Sequence, residues 1–236
     1  MQEGMGVLRS VEIGVTDVER SADFYFGALG FSEDAIELVE VPEGTGSVTR
    51  TRNRGLLHVA WSVASVDREA GRVREAGVQI VVEPKNGRGV ERLMFVADPD
   101  GTRLELVQGH RSYHDVISPE VAEIERAQPL GSRVLDHVAI GAASLGRTLA
   151  FYAGHFRAQA VGAIHLEGPT LRSATHLRLG GASLEIFTDA SRGGPPPSVR
   201  HGDGVGIRSL RVDRDQGPEE VLVDPDGVSI RVGRAA

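Results

Sequence analysis

Cysteine is absent, so any nucleophile or metal ligand in this sequence must be something else, and histidine and glutamate are among the side chains that could serve. His58 stands in LLHVAWSV and His137 in DHVAIGAA, while Glu105 stands in TRLELV and Glu185 in ASLEIF. Read as strands, these segments alternate. His58 then shares a face with Ala60 and Ser62, and His137 with Ala139 and Gly141, small neighbours that leave volume for a ligand. Glu105 and Glu185 are out of phase with Leu104, Leu106, Leu184 and Ile186. Imidazole nitrogen with carboxylate oxygen suits a divalent ion. The solvated face of an antiparallel sheet would carry the same residues, so strand phase leaves both readings open.

Other polar residues offer less. His110 and His114 have helical i, i+4 spacing but follow the last strand of the first half, which makes them surface residues. Arg50, Arg52 and Arg54 could clamp an anion, and a strand turning charges outward carries the same pattern. His176 lies among strands where it could act as a base, and Glu12 shares the face of Ser10. The glycines make no nucleotide-binding fingerprint.

The elements that must position these groups are repeated. HVAIGAASLGRTLAFY at 137–152 restates SVEIGVTDVERSADFY at 10–25, so that Ser10 matches His137, and DPDG at 98–101 returns at 224–227. Each opening unit reads as strand, turn and helix. Val11, Ile13 and Val15 alternate, Asp17 and Ser144 stand at helix N-caps, and Val18, Ala22, Tyr25 and Leu29 recur at helical spacing as Leu145, Leu149, Tyr152 and Phe156 do. A half-repeat opens at 56–63, with Ser65 capping a helix from Val66 to Ala76 and Gly77 ending it. Two strands joined by the DPDG turn close the unit. The pattern predicts two domains, 1–110 and 133–236, each of two modules, with 111–132 as a linker carrying a short helix at Pro119–Ala127. The Gly193-Gly194-Pro195-Pro196-Pro197 stretch reads as a loop.

Composition sets the outer bounds. A chain of 236 residues, 40% hydrophobic and 25% charged, suits two globular domains. The formal charge of −7 argues against nucleic acid as a partner. No apolar run is long enough for a membrane span, and the N-terminus lacks a basic-then-apolar signal, so the expected location is cytoplasmic. Lys85 is the only lysine beside many arginines, a bias expected of a GC-rich bacterial genome.

The segments HVAIGAASLGRTLAFY, LLHVAWSVASVDREAGRVREAGV and DPDGTRLELVQ resemble the vicinal oxygen chelate superfamily, over residues 7–110 and 133–234. That superfamily holds glyoxalase I, extradiol dioxygenases, methylmalonyl-CoA epimerase, and fosfomycin- and bleomycin-resistance proteins. The resemblance implies an α+β fold of four βαβββ modules whose sheets form cupped, barrel-like clefts, with the outer two modules abbreviated. It also implies that metal ligands come from the first and last strands of a module. First-strand positions are then Ser10, His58, His137 and Ile207; last-strand positions are Glu105, Glu185 and Arg231, with Glu37 as a remnant in the first module. The implied ligand set is His58, Glu105, His137 and Glu185, for Zn²⁺, Ni²⁺, Fe²⁺, Mn²⁺ or Co²⁺. Module two would pair with module three, and one with four, giving one live site and one dead one.

Three functions follow from the resemblance. A metal-dependent lyase or isomerase of the glyoxalase type would act on a small molecule with vicinal oxygens, using Glu105 or Glu185 as the catalytic proton carrier. An Fe(II) extradiol dioxygenase would need two histidines and one carboxylate, which no single domain supplies. A metal-free protein would sequester a ligand, as in bleomycin resistance. Each is compatible with a homodimer.

Overall fold

A computed structural model of the protein describes residues 4–43, 54–166, 173–188 and 204–234. Arg50, Arg52 and the glycine–proline loop at 193–197 lie outside those residues.

The opening strand β1 (Val7–Val15) leads to α1 (Val18–Ala22), capped by the Asp17 carboxylate, which accepts the Arg20 N–H at 2.9 Å. The helix widens into a π turn at Asp23–Ala28 before the short β2 (Ile36–Glu40). The second module is complete: β3 (Gly55–Val63), α2 (Val66–Glu75), β4 (Gln79–Asn86), β5 (Arg92–Ala97) and β6 (Arg103–Gln108). The segment between the repeats supplies β7 (Asp115–Val116) and α3 (Pro119–Arg126), the latter where Ser118 and Pro119 predict it. The third module repeats the second as β8 (Ser132–Ala142), α4 (Leu145–Phe156), β9 (Gln159–His165), β10 (Ser173–Leu179) and β11 (Ala182–Thr188). Ser144 is the backbone N-cap of α4, yet its side chain makes no capping bond, contrary to expectation. The fourth module keeps β12 (Gly206–Arg214), β13 (Glu220–Val223) and β14 (Ser229–Arg234) and passes from Arg214 to Glu220 without a helix.

The strands form two sheets, ordered β13-β14-β12-β1-β2 and β4-β5-β6-β3-β8-β11-β10-β9-β7. In every module the first strand runs parallel to the last. The modules then join through their first strands, β3 antiparallel to β8 and β1 antiparallel to β12. Module two therefore pairs with three, and one with four. One apolar cluster runs through both sheets and under the helices, including Trp61, which stacks on Phe31 at 4.2 Å between ring centroids.

The two DPDG turns clasp the helices. Asp98 and Asp224 close their own turns, Asp224 Oδ1 accepting the Asp226 and Val228 N–H groups at 2.8 Å. Their other oxygens accept buried tyrosine hydroxyls, Tyr25 to Asp98 at 2.8 Å and Tyr152 to Asp224 at 3.1 Å. The second aspartates reach further, Asp100 accepting the Thr16 N–H and Asp226 the Ala143 N–H, each at 2.9 Å. That last bond, with Thr148 Oγ1 to Asp226 at 2.8 Å, serves the start of α4 where Ser144 does not.

Burial raises the Asp224 carboxyl to about 6 against these hydrogen bonds. Its pKa in the unfolded chain is about 3.9. The neutral form is thus favoured in the fold, so this contribution is complete below about pH 4 and is lost as pH rises through about 6, by at most about 3 kcal/mol. Asp224→Asn, which stays neutral, is expected to flatten the dependence of unfolding free energy on pH between 4 and 7, measured by urea titration. An unchanged slope would refute the assignment.

Candidate metal centre

Each of the four module-opening strands carries a bulge, one extra residue that bends the strand and re-aims its side chains. The bulged residues are Arg9, Leu57, Asp136 and Arg208, and each is followed at once by a ligand position: Ser10, His58, His137 and Ser209. Because the bulge inverts the alternation, the residue two positions earlier points into the core, as Leu8, Leu56, Leu135 and Ile207 do. This corrects the assignment of Ile207. The register agrees, since Arg211 pairs with Arg231 as Ala60 pairs with Glu105, which makes Ser209 the counterpart of His58. The parallel strings LRS, LLH, LDH and IRS held this signal, with an apolar residue two before each ligand position.

In the nine-stranded sheet the four expected side chains converge. His58 Nε2 is 3.0 Å from Glu105 Oε2 and 3.7 Å from Glu185 Oε2, and His137 Nε2 is 3.2 Å from both oxygens. One potential ligand atom from each of the four lies within 4.8 Å of the others, the one such group among the described residues. Both Nε2 atoms are buried without a hydrogen-bond partner among the described residues. Both atoms face a common centre lined by carboxylate oxygen, so the donor set fits a divalent ion that could be held there in place of a proton.

The electrostatics of the site call for positive charge. Burial would raise the Glu185 carboxyl, but His137 outweighs it and holds the group well below the usual carboxylate range; Glu105 is lowered in the same way by His137 and His58. Burial would depress His137, yet Glu185, Asp136 and Glu105 together drive it well above the ordinary imidazole value.

His176 also faces this cluster. Its Nε2 lies 3.5 Å from Glu185 Oε1, and neither ring nitrogen has a partner among the described residues. Burial lowers its pKa, which keeps it neutral. Cross-strand register sets His176 opposite Glu185 as it sets Phe95 opposite Glu105. The two glutamates thus have unlike neighbours.

Two site residues escape strand reading. Asp136 belongs on the core face by simple alternation, but as the bulged residue it turns its Oδ1 to 2.7 Å from His137 Nδ1. Arg111, on the segment between the repeats, pairs with Asp136. Burial would raise the Asp136 carboxyl, and Arg111 overrides it to bring the value to about 2. An acid beside a histidine in the apolar run VLDHVAI was the available hint.

The remaining candidates lie elsewhere. His110 and His114 are exposed, and His114 stacks on His165. Arg54 forms an ion pair with Asp226 at 2.7 Å, part of the second DPDG clasp.

The five-stranded sheet places Ser10, Ser209, Glu37 and Arg231 at the equivalent positions, with Glu37 opposite Glu12 as Glu105 is opposite Ala60. The Arg231 guanidinium pairs with Glu37 and lies 3.3 Å from Glu12 Oε2, while Arg208 holds the other Glu12 oxygen at 3.1 Å. A fixed organic cation thus neutralises the carboxylates. Elemental analysis of the full chain is expected to return about one divalent ion and not two, with Ser10→Ala leaving that content unchanged. A second equivalent, or a loss in the Ser10 variant, would overturn this assignment.

Residues 32–106 match the family model described as the Glyoxalase/Bleomycin resistance protein/Dioxygenase superfamily. A protein of Synechocystis named "Probable lactoylglutathione lyase" is 30% identical over 111 residues, covering 44% of this chain and 77% of that protein. The crystal structure of glyoxalase I from Zea mays superimposes with a TM-score of 0.71 at 16% identity, over 98% of this chain and 93% of that one. The cppA protein of Streptococcus pneumoniae shares the fold at 8% identity, with a TM-score of 0.54 over 98% of this chain and 99% of that one. The fold carries many chemistries, so these likenesses place the chain in a family and leave its reaction to the site. With its βαβββ modules, its two sheets and these relatives, the chain belongs to the glyoxalase/bleomycin resistance protein/dioxygenase superfamily.

Proposed function

We propose that the chain is a metal-dependent lyase or isomerase of the glyoxalase type, acting on a small molecule with two adjacent oxygens. The observation that carries this reading is the convergence of His58, Glu105, His137 and Glu185, with both buried Nε2 atoms without a hydrogen-bond partner among the described residues. A divalent ion held there (Zn²⁺, Ni²⁺, Fe²⁺, Mn²⁺ or Co²⁺) would act as a Lewis acid for charge that develops on the two substrate oxygens. The histidines supply neutral nitrogen, and the glutamates balance the ion's charge. Either glutamate can also take a proton from a substrate carbon and return it to the neighbouring one, which is the catalytic role assigned to Glu105 and Glu185. Held by these four residues, the ion would still be open to the two substrate oxygens.

A dioxygenase is the second reading, favoured by one observation: the repeats share a site, so two histidines and a carboxylate do meet. The second glutamate weighs against it, because that chemistry asks for two histidines and only one carboxylate. A metal-free binding protein is the third.

The experiment is elemental analysis followed by activity assays. The name of the Synechocystis relative, a probable lactoylglutathione lyase, makes turnover of lactoylglutathione the first reaction to try. Metal with lyase or isomerase turnover and no O₂ uptake supports the proposal. Catechol-dependent O₂ uptake moves the reading to a dioxygenase, and a metal-free protein moves it to ligand sequestration.

A further inference from the structure

We infer that Asp136, held by Arg111, is a positioning residue that holds the Nδ1–H of His137 and aims its Nε2 at the centre. The inference rests on the metal reading above and adds that the two histidines are unequal, His137 being the anchored one.

Three observations carry it. First, the Asp136 bulge brings its Oδ1 to 2.7 Å from His137 Nδ1. The bulged residue before His58 is Leu57, which has no polar atom to offer that ring. Second, Arg111 is locked in place behind Asp136. Its side chain is 7% exposed, it pairs with Asp136, and its Nη1 lies 3.2 Å from Glu125 Oε1. Glu125 in turn accepts the Ser183 hydroxyl at 2.9 Å and the Tyr113 hydroxyl. Arg111 and Glu125 come from the segment between the repeats, so neither repeat alone builds this brace.

Third, the ring is gripped at one nitrogen and open at the other. Arg111 Nη2 lies 3.0 Å from His137 Nδ1, on the side where Asp136 Oδ1 stands, while Nε2 faces Glu105 Oε2 and Glu185 Oε2, each at 3.2 Å. A carboxylate at one ring nitrogen orients the other.

Two measurements on the full chain test this. Imidazole ¹⁵N–¹H spectra of the metal-free protein are expected to show a hydrogen-bonded, slowly exchanging Nδ1–H on His137, and Asp136→Asn is expected to shift that signal and speed its exchange. Zn²⁺ affinity, read by chelator competition, is expected to weaken roughly 10–100-fold in Asp136→Asn, with partial recovery in Asp136→Glu. A His137 Nδ1 without a hydrogen-bonded proton in the unaltered protein overturns the inference, and this holds even if the variant fails to fold. Unchanged affinity and an unchanged Nδ1–H signal in a folded Asp136→Asn overturn it as well. Absence of Zn²⁺ binding by the unaltered protein would instead remove the metal reading, an outcome that the Nδ1–H measurement keeps separate.

Discussion

His58→Ala and His137→Ala are each expected to leave the purified protein with little divalent metal. Each change deletes one of the two neutral nitrogens in the four-ligand group. Four-ligand structural zinc sites bind with about 10–16 kcal/mol, so one donor is worth roughly 3 kcal/mol, about a hundredfold in dissociation constant. Dialysis against a weak chelator followed by elemental analysis reads this loss directly. An ion at about 100 times its dissociation constant adds about 2.7 kcal/mol to the native state. Chelation should therefore lower the melting temperature of the unaltered protein by roughly 5–10 °C and leave both variants where they are. Full metal retention in both variants would sink the ligand assignment.

Glu105→Gln and Glu185→Gln are expected to act on turnover more than on fold. An amide of the same shape can neither take nor return a proton, and loss of a general base lowers kcat by roughly 10²–10⁴. The two need not be equal. Glu185 has His176 beside its outer oxygen, while Glu105 has the ring of Phe95 across the strand pair. Steady-state kinetics at saturating metal separate the cases. Turnover within a factor of about two of the unaltered protein in both variants would remove the glutamates from the chemistry. A large loss in one alone would name the proton carrier.

Much of this architecture is legible in the sequence because its signals are local. The recurrence of HVAIGAASLGRTLAFY and DPDG, the alternation of Val11, Ile13 and Val15, and the Asp17 and Ser65 caps mark modules without reference to anything distant. The convergence of His58 with His137 follows from the resemblance and is visible in the structure as the β3–β8 seam. Bulges are what hide the rest. One extra residue at Asp136 and another at Arg208 reverse the side-chain alternation, which conceals a carboxylate at the centre and moves the fourth ligand position from Ile207 to Ser209. Arg111 is hidden for a different reason, since its partners Asp136 and Glu125 meet it only after the segment between the repeats has folded back.

The two seams, β3 with β8 and β1 with β12, join strands that come from different repeats. Two separate copies of a single repeat would meet through the same strand pairs and build two identical centres. Any substitution would then strike both at once. Covalent joining ends that obligation, because each seam is written in its own stretch of gene. Ser10, Glu37, Ser209 and Arg231 make one seam a charged structural joint, while the other seam carries the imidazoles. The same logic makes the surviving centre a natural reporter of reunion. Cut between the repeats, neither half holds both histidines, and metal binding would return only where the halves find each other.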